Sequence, residues 1–225
     1  MQTQKIMENQ KNKVAIISGA TGLVGGYLFN QLLKDPDYNK VIAIVRRPLE
    51  KGHEKLVQKV VDFSQLPGAI EGLEADHGFC CLGTTIKTAG SKEKQYAVDH
   101  DYVVAFASGC HAAGVKFFSV VSSIGANVES SNFYLRTKGE MERDLAKIPF
   151  EGLYILQPSM LLGERDEFRA GEKAGIALMK VLGPLMVGGL KKYRGVHAES
   201  VARMMIQTVG SAKRGLVIIK SDQIG

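Results

Sequence analysis

Tyr134 and Lys138 have the side-chain types and the spacing of a proton-transfer pair. They are four residues apart, so they share one face if the segment is helical. A tyrosine with an ordinary pKa of about 10 is a poor base at neutral pH, but a neighbouring ammonium group favours its phenolate form. Ser122 and Ser123 end a β-branched run upstream and would hold a substrate oxygen by a hydrogen bond. We predict these four residues as catalytic; the alternative is an ordinary amphipathic helix.

A glycine-rich turn near the start of the chain predicts a dinucleotide site. Gly19, Gly22 and Gly25 form the pattern G-x-x-G-x-x-G directly after the apolar run 14–17. Such glycines permit a tight turn, a close approach of the backbone to phosphate and close packing of helix on strand. Backbone N–H groups at the helix N-terminus would then bind a pyrophosphate. The predicted contacts are Gly19, Thr21, Gly22, Leu23, Val24 and Gly25; a glycine turn without a ligand is the alternative.

The residues after the second predicted strand favour one form of the coenzyme. NAD-binding proteins usually carry Asp or Glu about 20 residues beyond the glycine turn, where it binds the ribose hydroxyls. This chain has Arg46 and Arg47 there instead. Guanidinium groups are planar and permanently charged, which suits a 2′-phosphate. We therefore predict NADP (NADPH) in preference to NAD, the alternative being two solvated surface arginines.

Further coenzyme contacts follow from the predicted topology, because parallel sheets bind ligands at the carboxyl ends of their strands. Asp62 follows the third predicted strand and could accept a hydrogen bond from the adenine amine. Leu82, Gly83 and Thr84 follow the fourth, where a glycine lets the chain pass close to a ligand.

Short β-branched runs alternate with helix-like stretches, as in parallel βαβ units. Strands are predicted at 14–17, 41–45, 56–61, 78–82, 117–121, 153–156 and 216–219, and helices at 22–34, 91–113 and 134–146. The predicted fold class is α/β, a Rossmann-type doubly wound parallel sheet. We expect a flexible polar tail at 1–12 and a single NAD(P)-binding domain at 13–225, with a small C-terminal substrate lobe mainly from 160–215.

Size and composition agree with one soluble domain and exclude several classes of protein. A chain of 225 residues, 45% of them hydrophobic, needs no metal or disulfide to hold its core, and no metal site is predicted. Cys80 and Cys81 lie in an apolar run, which predicts core packing in a reducing compartment; we expect the cytoplasm. The net charge of +6 is scattered and no reader motif accompanies it, so no nucleic-acid partner is expected.

The motifs together resemble the short-chain dehydrogenase/reductase superfamily. More narrowly, FCCLGTT at 79–85, VSSIGA at 121–126 and SSNFY at 130–134 resemble an atypical branch. That branch contains the human Tat-interacting, oxidoreductase-like protein and its bacterial relatives. The resemblance implies NADPH binding, with Tyr134 as proton donor or acceptor and Lys138 on the nicotinamide ribose. It also implies coenzyme contacts from Leu161 and Arg169.

These observations predict an NADPH-dependent oxidoreductase that reduces a carbonyl substrate by hydride transfer. The alternative is an NADPH-sensing regulatory or interaction protein without robust turnover. The Ser/Tyr/Lys set favours catalysis, because a pure sensor has no need of Tyr134. The resemblance does not identify a substrate, since members of this branch generally lack an agreed one.

An apolar segment at 174–190 has no role in this scheme. Lys180, Gly183 and Pro184 interrupt it, and a membrane-spanning helix needs a longer apolar run, so no transmembrane segment is predicted. We favour a wall or lid of the substrate pocket, which implies a partly apolar small-molecule substrate. A subunit contact, which would make a homo-oligomer, and contact with a membrane surface are the alternatives.

Overall fold

The computed structural model describes residues 12–50, 52–163 and 194–224. Seven parallel strands form one sheet in the order β3-β2-β1-β4-β5-β6-β9. These strands are β1 (Lys13–Ser18), β2 (Tyr38–Val45), β3 (Leu56–Val60), β4 (His77–Cys80), β5 (Phe117–Val121), β6 (Gly152–Gln157) and β9 (Gly215–Lys220). The short strands β7 (Leu161–Leu162) and β8 (Val196–His197) pair with each other.

Helices cover both faces of this sheet. They are α1 (Leu23–Lys34), α2 (Leu66–Ile70), α3 (Ile86–Ala89), α4 (Lys92–Tyr96), α5 (Tyr102–Ala112), α6 (Phe133–Leu145) and α7 (Ala198–Gly210). A π-helical segment, Ala97–Asp101, joins α4 to α5, and 3₁₀ turns occupy Phe63–Gln65 and Ser221–Gln223.

The strand sequences reflect this two-sided burial. Ala15 and Ile17 of β1 belong to the cluster that includes α1 and α7, whereas Ile16 belongs to the opposite cluster with α5 and α6. A strand covered on both faces has no polar alternation, which is why these runs are continuously apolar. The structure confirms the predicted Rossmann-type α/β fold. The strand order reverses between β1 and β4, and such a reversal opens a crevice at the carboxyl edge.

Two predicted elements differ from the observed ones. The helix predicted at 91–113 is divided into α4, the π-helical segment and α5. The helix predicted from 134 begins at Phe133, because the Asn132 side chain caps it by accepting a hydrogen bond from the Leu135 N–H at 3.1 Å.

The described part of the C-terminal region belongs to the main domain. In α7, Val201, Ala202 and Met205 are buried in the same cluster as α1, and β9 extends the sheet beside β6. Residues 1–11 of the predicted tail and 164–193 of the predicted substrate lobe lie outside the described residues. Arg169 and the apolar segment 174–190 are among them, so the substrate lobe stays a prediction.

The cysteines and the helices carry two further observations. All three cysteines are free, and burial raises the pKa of Cys80 to about 12, as expected for a thiol packed in the core. Within the described ranges, no helix has the length and apolar character needed to cross a bilayer.

Candidate active site

The glycine turn between β1 and α1 lies at the carboxyl edge of the sheet, against the loop that follows β4. Gly19 has a φ of +85°, which side chains of L-residues rarely adopt. A Cβ at Gly19 would lie 2.5 Å from the Cys81 carbonyl carbon, and a Cβ at Gly25 would overlap the Gly19 carbonyl oxygen. The backbone therefore requires glycine at both positions.

Helix α1 presents an open N-terminus at this turn. Gly22 is its N-cap, and no described side chain makes a capping hydrogen bond there. The backbone N–H groups of Leu23, Val24 and Gly25 begin a helix of 12 residues, so the positive end of its dipole lies at the turn. Thr21 is exposed beside them. These groups fit a pyrophosphate, which needs N–H donors and positive potential.

Tyr134 and Lys138 both lie on α6, in the half that is nearer to its N-terminus. Tyr134 is half-buried, whereas Lys138 is buried and forms an ion pair with Asp99, Nζ to Oδ1 3.0 Å. Burial alone would lower the pKa of Lys138, but the Asp99 carboxylate and the nearby Tyr134 phenol raise it above its ordinary value. Lys138 therefore keeps its positive charge close to Tyr134.

The loop after β4 lies directly on this ion pair. A Cβ at Gly83 would lie 3.4 Å from Asp99 Oδ1 and 3.9 Å from Lys138 Nζ. The Thr84 N–H donates to Asp99 Oδ2 at 3.0 Å. Leu82 is half-buried against the core cluster of α5 and α6. The structure thus brings the predicted contacts Leu82, Gly83 and Thr84 to the predicted catalytic lysine.

The two serines after β5 have different surroundings. Ser122 is buried and its hydroxyl donates to Glu142 Oε1, a carboxylate that also accepts from Gln157 Nε2 at 3.0 Å. Ser123 is half-buried, and its hydroxyl donates to its neighbour's carbonyl, Ile124 O, at 3.3 Å. Ser122 therefore joins the ends of β5 and β6 to α6, while the Ser123 hydroxyl has only a long hydrogen bond to the next residue's carbonyl.

The residues predicted for the adenosine end lie on neighbouring strand ends. Arg46 and Arg47 are exposed after β2, and the Arg46 guanidinium carbon lies 6.0 Å from the centre of the Phe63 ring. Asp62 follows β3, and its Oδ1 accepts a hydrogen bond from the Ser64 N–H at 3.0 Å. That bond lowers the pKa of Asp62. Asp62 stays ionised and has a second carboxylate oxygen to offer a ligand.

Sequence reasoning missed two carboxylates of this site, the buried Asp99 and the half-buried Glu142. Asp99 lies on the buried face of a helical run with Val103 and Phe106, and Glu142 continues the four-residue spacing of Tyr134 and Lys138. An acidic residue in an apolar stripe was the available signal. Burial raises the pKa of Glu142, although its hydrogen bonds with Ser122 and Gln157 oppose the rise.

Two further residues, Leu161 and Arg169, were predicted as coenzyme contacts. Leu161 lies on β7, half-buried against the core cluster of α1 and α7. Arg169 lies outside the described residues. The coenzyme roles of both stay predictions.

Known proteins are similar to this chain in sequence and in fold. A family model described as NAD(P)H-binding matches residues 19–211. Protein HTATIP2 of Rattus norvegicus is 39% identical, over 75% of this chain and 72% of that protein. Protein FMP52 of Eremothecium gossypii, named as mitochondrial, is 37% identical over 78% of this chain and 77% of its own length. Protein fmp52 of Aspergillus fumigatus, also named as mitochondrial, is 34% identical over 94% and 92%.

Solved structures match the fold at low sequence identity. A UDP-N-acetylglucosamine 4-epimerase from Methanobrevibacter ruminantium has a TM-score of 0.69 at 16% identity, covering 93% of this chain and 77% of its own. The dTDP-4-dehydrorhamnose reductase of Bacillus anthracis, in complex with NADP, has a TM-score of 0.65 at 14% identity, covering 93% and 75%. These solved structures therefore have the same overall fold as this chain.

One expectation from the sequence is wrong. The expected cytoplasmic location is contradicted by the relatives, several of which are named as mitochondrial. Free, buried cysteines could not make that distinction, because reduced thiols indicate a reducing environment and not a particular compartment.

Proposed function

We propose that this chain, which belongs to the NAD(P)H-binding family and is a relative of HTATIP2 and FMP52, is an NADPH-dependent reductase of carbonyl compounds. Its motifs predicted the relationship to the branch that contains HTATIP2. The observation that carries this proposal is the buried, charged Lys138 one helical turn from Tyr134. Lys138 also lies beside Gly83, which we predict as a coenzyme contact. A protein that only binds a dinucleotide could use Lys138 but has no need of Tyr134.

Each residue of the site has a role in this proposal. The glycine turn and the N-terminus of α1 hold the pyrophosphate, and Lys138 donates to the nicotinamide ribose. When bound, NADPH would supply the hydride that reduces the carbonyl carbon. Ser123 donates a hydrogen bond to the carbonyl oxygen, and Tyr134 donates the proton that this oxygen requires. The Lys138 ammonium stabilises the phenolate that Tyr134 then becomes.

The preference for NADP rests on Arg46 and Arg47. Both side chains are exposed at the end of β2, where their guanidinium groups can meet a 2′-phosphate. Replacing each arginine by Gln should weaken NADPH binding by roughly tenfold or more, because a charge-assisted hydrogen bond is lost. NADH binding should hardly change. Titration of both coenzymes by fluorescence tests this, and an equal loss for NADH would exclude a 2′-phosphate site.

The site favours a substrate with an apolar part. Ile86, Val128 and Met160 are exposed. Ile86 begins α3 after β4, whereas Val128 and Met160 lie in the loops after β5 and β6, so all three follow the carboxyl ends of strands. Exposed apolar side chains at this edge suit an apolar ligand better than a polar one. We therefore infer a small carbonyl compound with an apolar substituent.

Turnover can be tested on the purified full chain. NADPH is incubated with aliphatic aldehydes, aromatic aldehydes, ketones and quinones, and the loss of absorbance at 340 nm is followed. Tyr134→Phe should retain NADPH binding and lose turnover by about 10²-fold or more, because it removes the proton donor. NADPH binding without turnover on the whole panel would favour the sensing role, and full activity of Tyr134→Phe would refute the mechanism.

A further inference from the structure

We propose that Asp99 is a positioning residue, which holds Lys138 and the loop after β4 in one arrangement for the coenzyme. The inference rests on the proposed function, since it assigns Lys138 to the coenzyme. Asp99 lies in the π-helical segment and uses both carboxylate oxygens. Oδ1 is 3.0 Å from Lys138 Nζ, and Oδ2 accepts from the Thr84 N–H at 3.0 Å.

The burial of this ion pair makes the carboxylate necessary. The Lys138 and Asp99 side chains are only 3% and 1% exposed. An ammonium group at that depth has lost its hydration and keeps its proton only if a partner compensates the charge. Asp99 supplies that partner, and the pair as a whole is neutral. Asp99 therefore determines whether Lys138 is a cation or a neutral amine.

The same helical run holds the loop by a second contact. Gln95 lies one helical turn before Asp99, and its Nε2 donates to the Thr84 carbonyl at 3.3 Å. Both backbone groups of Thr84 are thus bound to one run, the N–H by Asp99 and the carbonyl by Gln95. Gly83, directly before Thr84, lies over the ion pair. The helical run that contains Gln95 and Asp99 therefore holds both Lys138 and the loop after β4.

Asp99 lies in the π-helical segment between α4 and α5. Segments of this type insert one residue into a helix and are frequent at functional sites. Asp99 is buried on the same side as Val103 and Phe106. Its neighbour Asp101 is exposed and contacts His100 at 2.8 Å. Two aspartates of one segment therefore have opposite environments, which provides a matched control.

The first test measures the lysine itself, without coenzyme. In the full chain labelled with ¹³C-lysine, Lys138→Met identifies the Lys138 signal. We expect Lys138 of the wild type to keep its proton beyond the pH at which an ordinary lysine titrates, and Lys138 of Asp99→Asn to lose it at least about two pH units earlier, because buried lysines without a partner titrate far below their usual range. A Lys138 that is neutral at pH 8 in the wild type, or that titrates alike in both proteins, overturns the proposal.

The second test measures NADPH affinity as a function of pH. In Asp99→Asn the Kd should rise roughly tenfold between pH 6 and pH 9 as Lys138 becomes neutral, whereas Asp101→Asn should follow the wild type. In a Lys138→Met background, Asp99→Asn should change the Kd less than about twofold, because residues that act through each other are not additive. An equal loss in both backgrounds overturns the proposal.

Two controls keep these outcomes separate. If Asp99→Asn does not fold, the double variant Asp99→Asn/Lys138→Met should fold, since it removes both buried charges together. A double variant that also fails to fold counts against a role exerted through Lys138. A wild-type chain that binds no NADPH refutes the proposed function, whereas the lysine titration decides the role of Asp99 independently.

Discussion

At the scale of single residues, the site divides its polar side chains between support and chemistry. Asp99, Glu142 and Ser122 are bound to other protein groups, whereas Tyr134 and Ser123 remain half-exposed at the carboxyl edge. Buried polar groups must be paired, and once paired they hold their neighbours in place. The exposed groups are therefore the ones available to a substrate.

This division predicts opposite effects for the two adjacent serines. Ser123→Ala should lower kcat/KM by about 10²-fold, because the carbonyl oxygen loses a donor, with little change in stability. Ser122→Ala should instead lower the free energy of unfolding by about 1–2 kcal/mol, because the half-buried Glu142 loses a hydrogen bond. Urea unfolding and turnover measured on both variants test this, and a reversed pattern would assign the substrate contact to Ser122.

At the scale of elements, the turn and the helix that follow β1 act as one unit. Gly19 and Gly25 are in mutual contact, and Gly19 also touches the backbone after β4. The tightness of the turn brings the N-terminus of α1 into the crevice between β1 and β4. The coenzyme site thus depends on backbone packing as much as on any side chain.

The two neighbouring glycines of α1 provide a test of that packing. Gly25→Ala should lower the free energy of unfolding by about 1–3 kcal/mol and weaken NADPH binding, because its Cβ overlaps the Gly19 carbonyl. Gly26→Ala should stabilise the protein by up to about 1 kcal/mol, since its Cβ would lie 3.8 Å from Ala20 O and alanine favours a helix. Thermal unfolding and NADPH titration distinguish them; equal effects would contradict the role of Gly25.

At the scale of the whole molecule, the carboxyl and amino edges of the sheet carry different kinds of polar groups. The carboxyl edge carries the site, while the amino edge contains a buried pair formed by Tyr38 and His77, Oη to Nδ1 2.7 Å. Burial raises the pKa of Tyr38 and, together with Lys13, lowers the pKa of His77 to about 4. His77 is therefore neutral, and its Nδ1 shares a hydrogen bond with the Tyr38 hydroxyl.

The His77 pair predicts an acid-sensitive fold. The unfolded chain binds a proton near pH 6.5, whereas the folded chain does so only near pH 4, so this contribution is complete above pH 6.5 and is lost as the pH falls toward 4. The free energy of unfolding should fall by about 3 kcal/mol over this pH range. Urea unfolding at a series of pH values measures it. His77→Gln should flatten this part of the profile while the exposed His53→Gln should not, and an unchanged profile in His77→Gln would refute the assignment.

Local patterns in the sequence predicted much of the fold and part of the site. Apolar runs, glycine spacing and the four-residue interval of Tyr134 and Lys138 depend on neighbours along the chain, so the Rossmann-type sheet and the dinucleotide turn were predictable. The division of the 91–113 helix into α4, a π-helical segment and α5 was not predictable, because no local pattern of residue types marks the π-helical segment that contains Asp99.

The sequence by itself determined the fold class, the glycine turn and the helix that carries Tyr134 and Lys138, because these depend on periodicity and backbone conformation. Only the tertiary structure decided that Asp99 pairs with Lys138 and that Ser122 bonds to Glu142. The partners lie on different elements: Asp99 meets Lys138 only when the π-helical segment packs against α6, and Ser122 meets Glu142 only when the end of β5 does. Burial then strengthens the interactions of these charged groups, and no local sequence pattern shows which residues will be buried together.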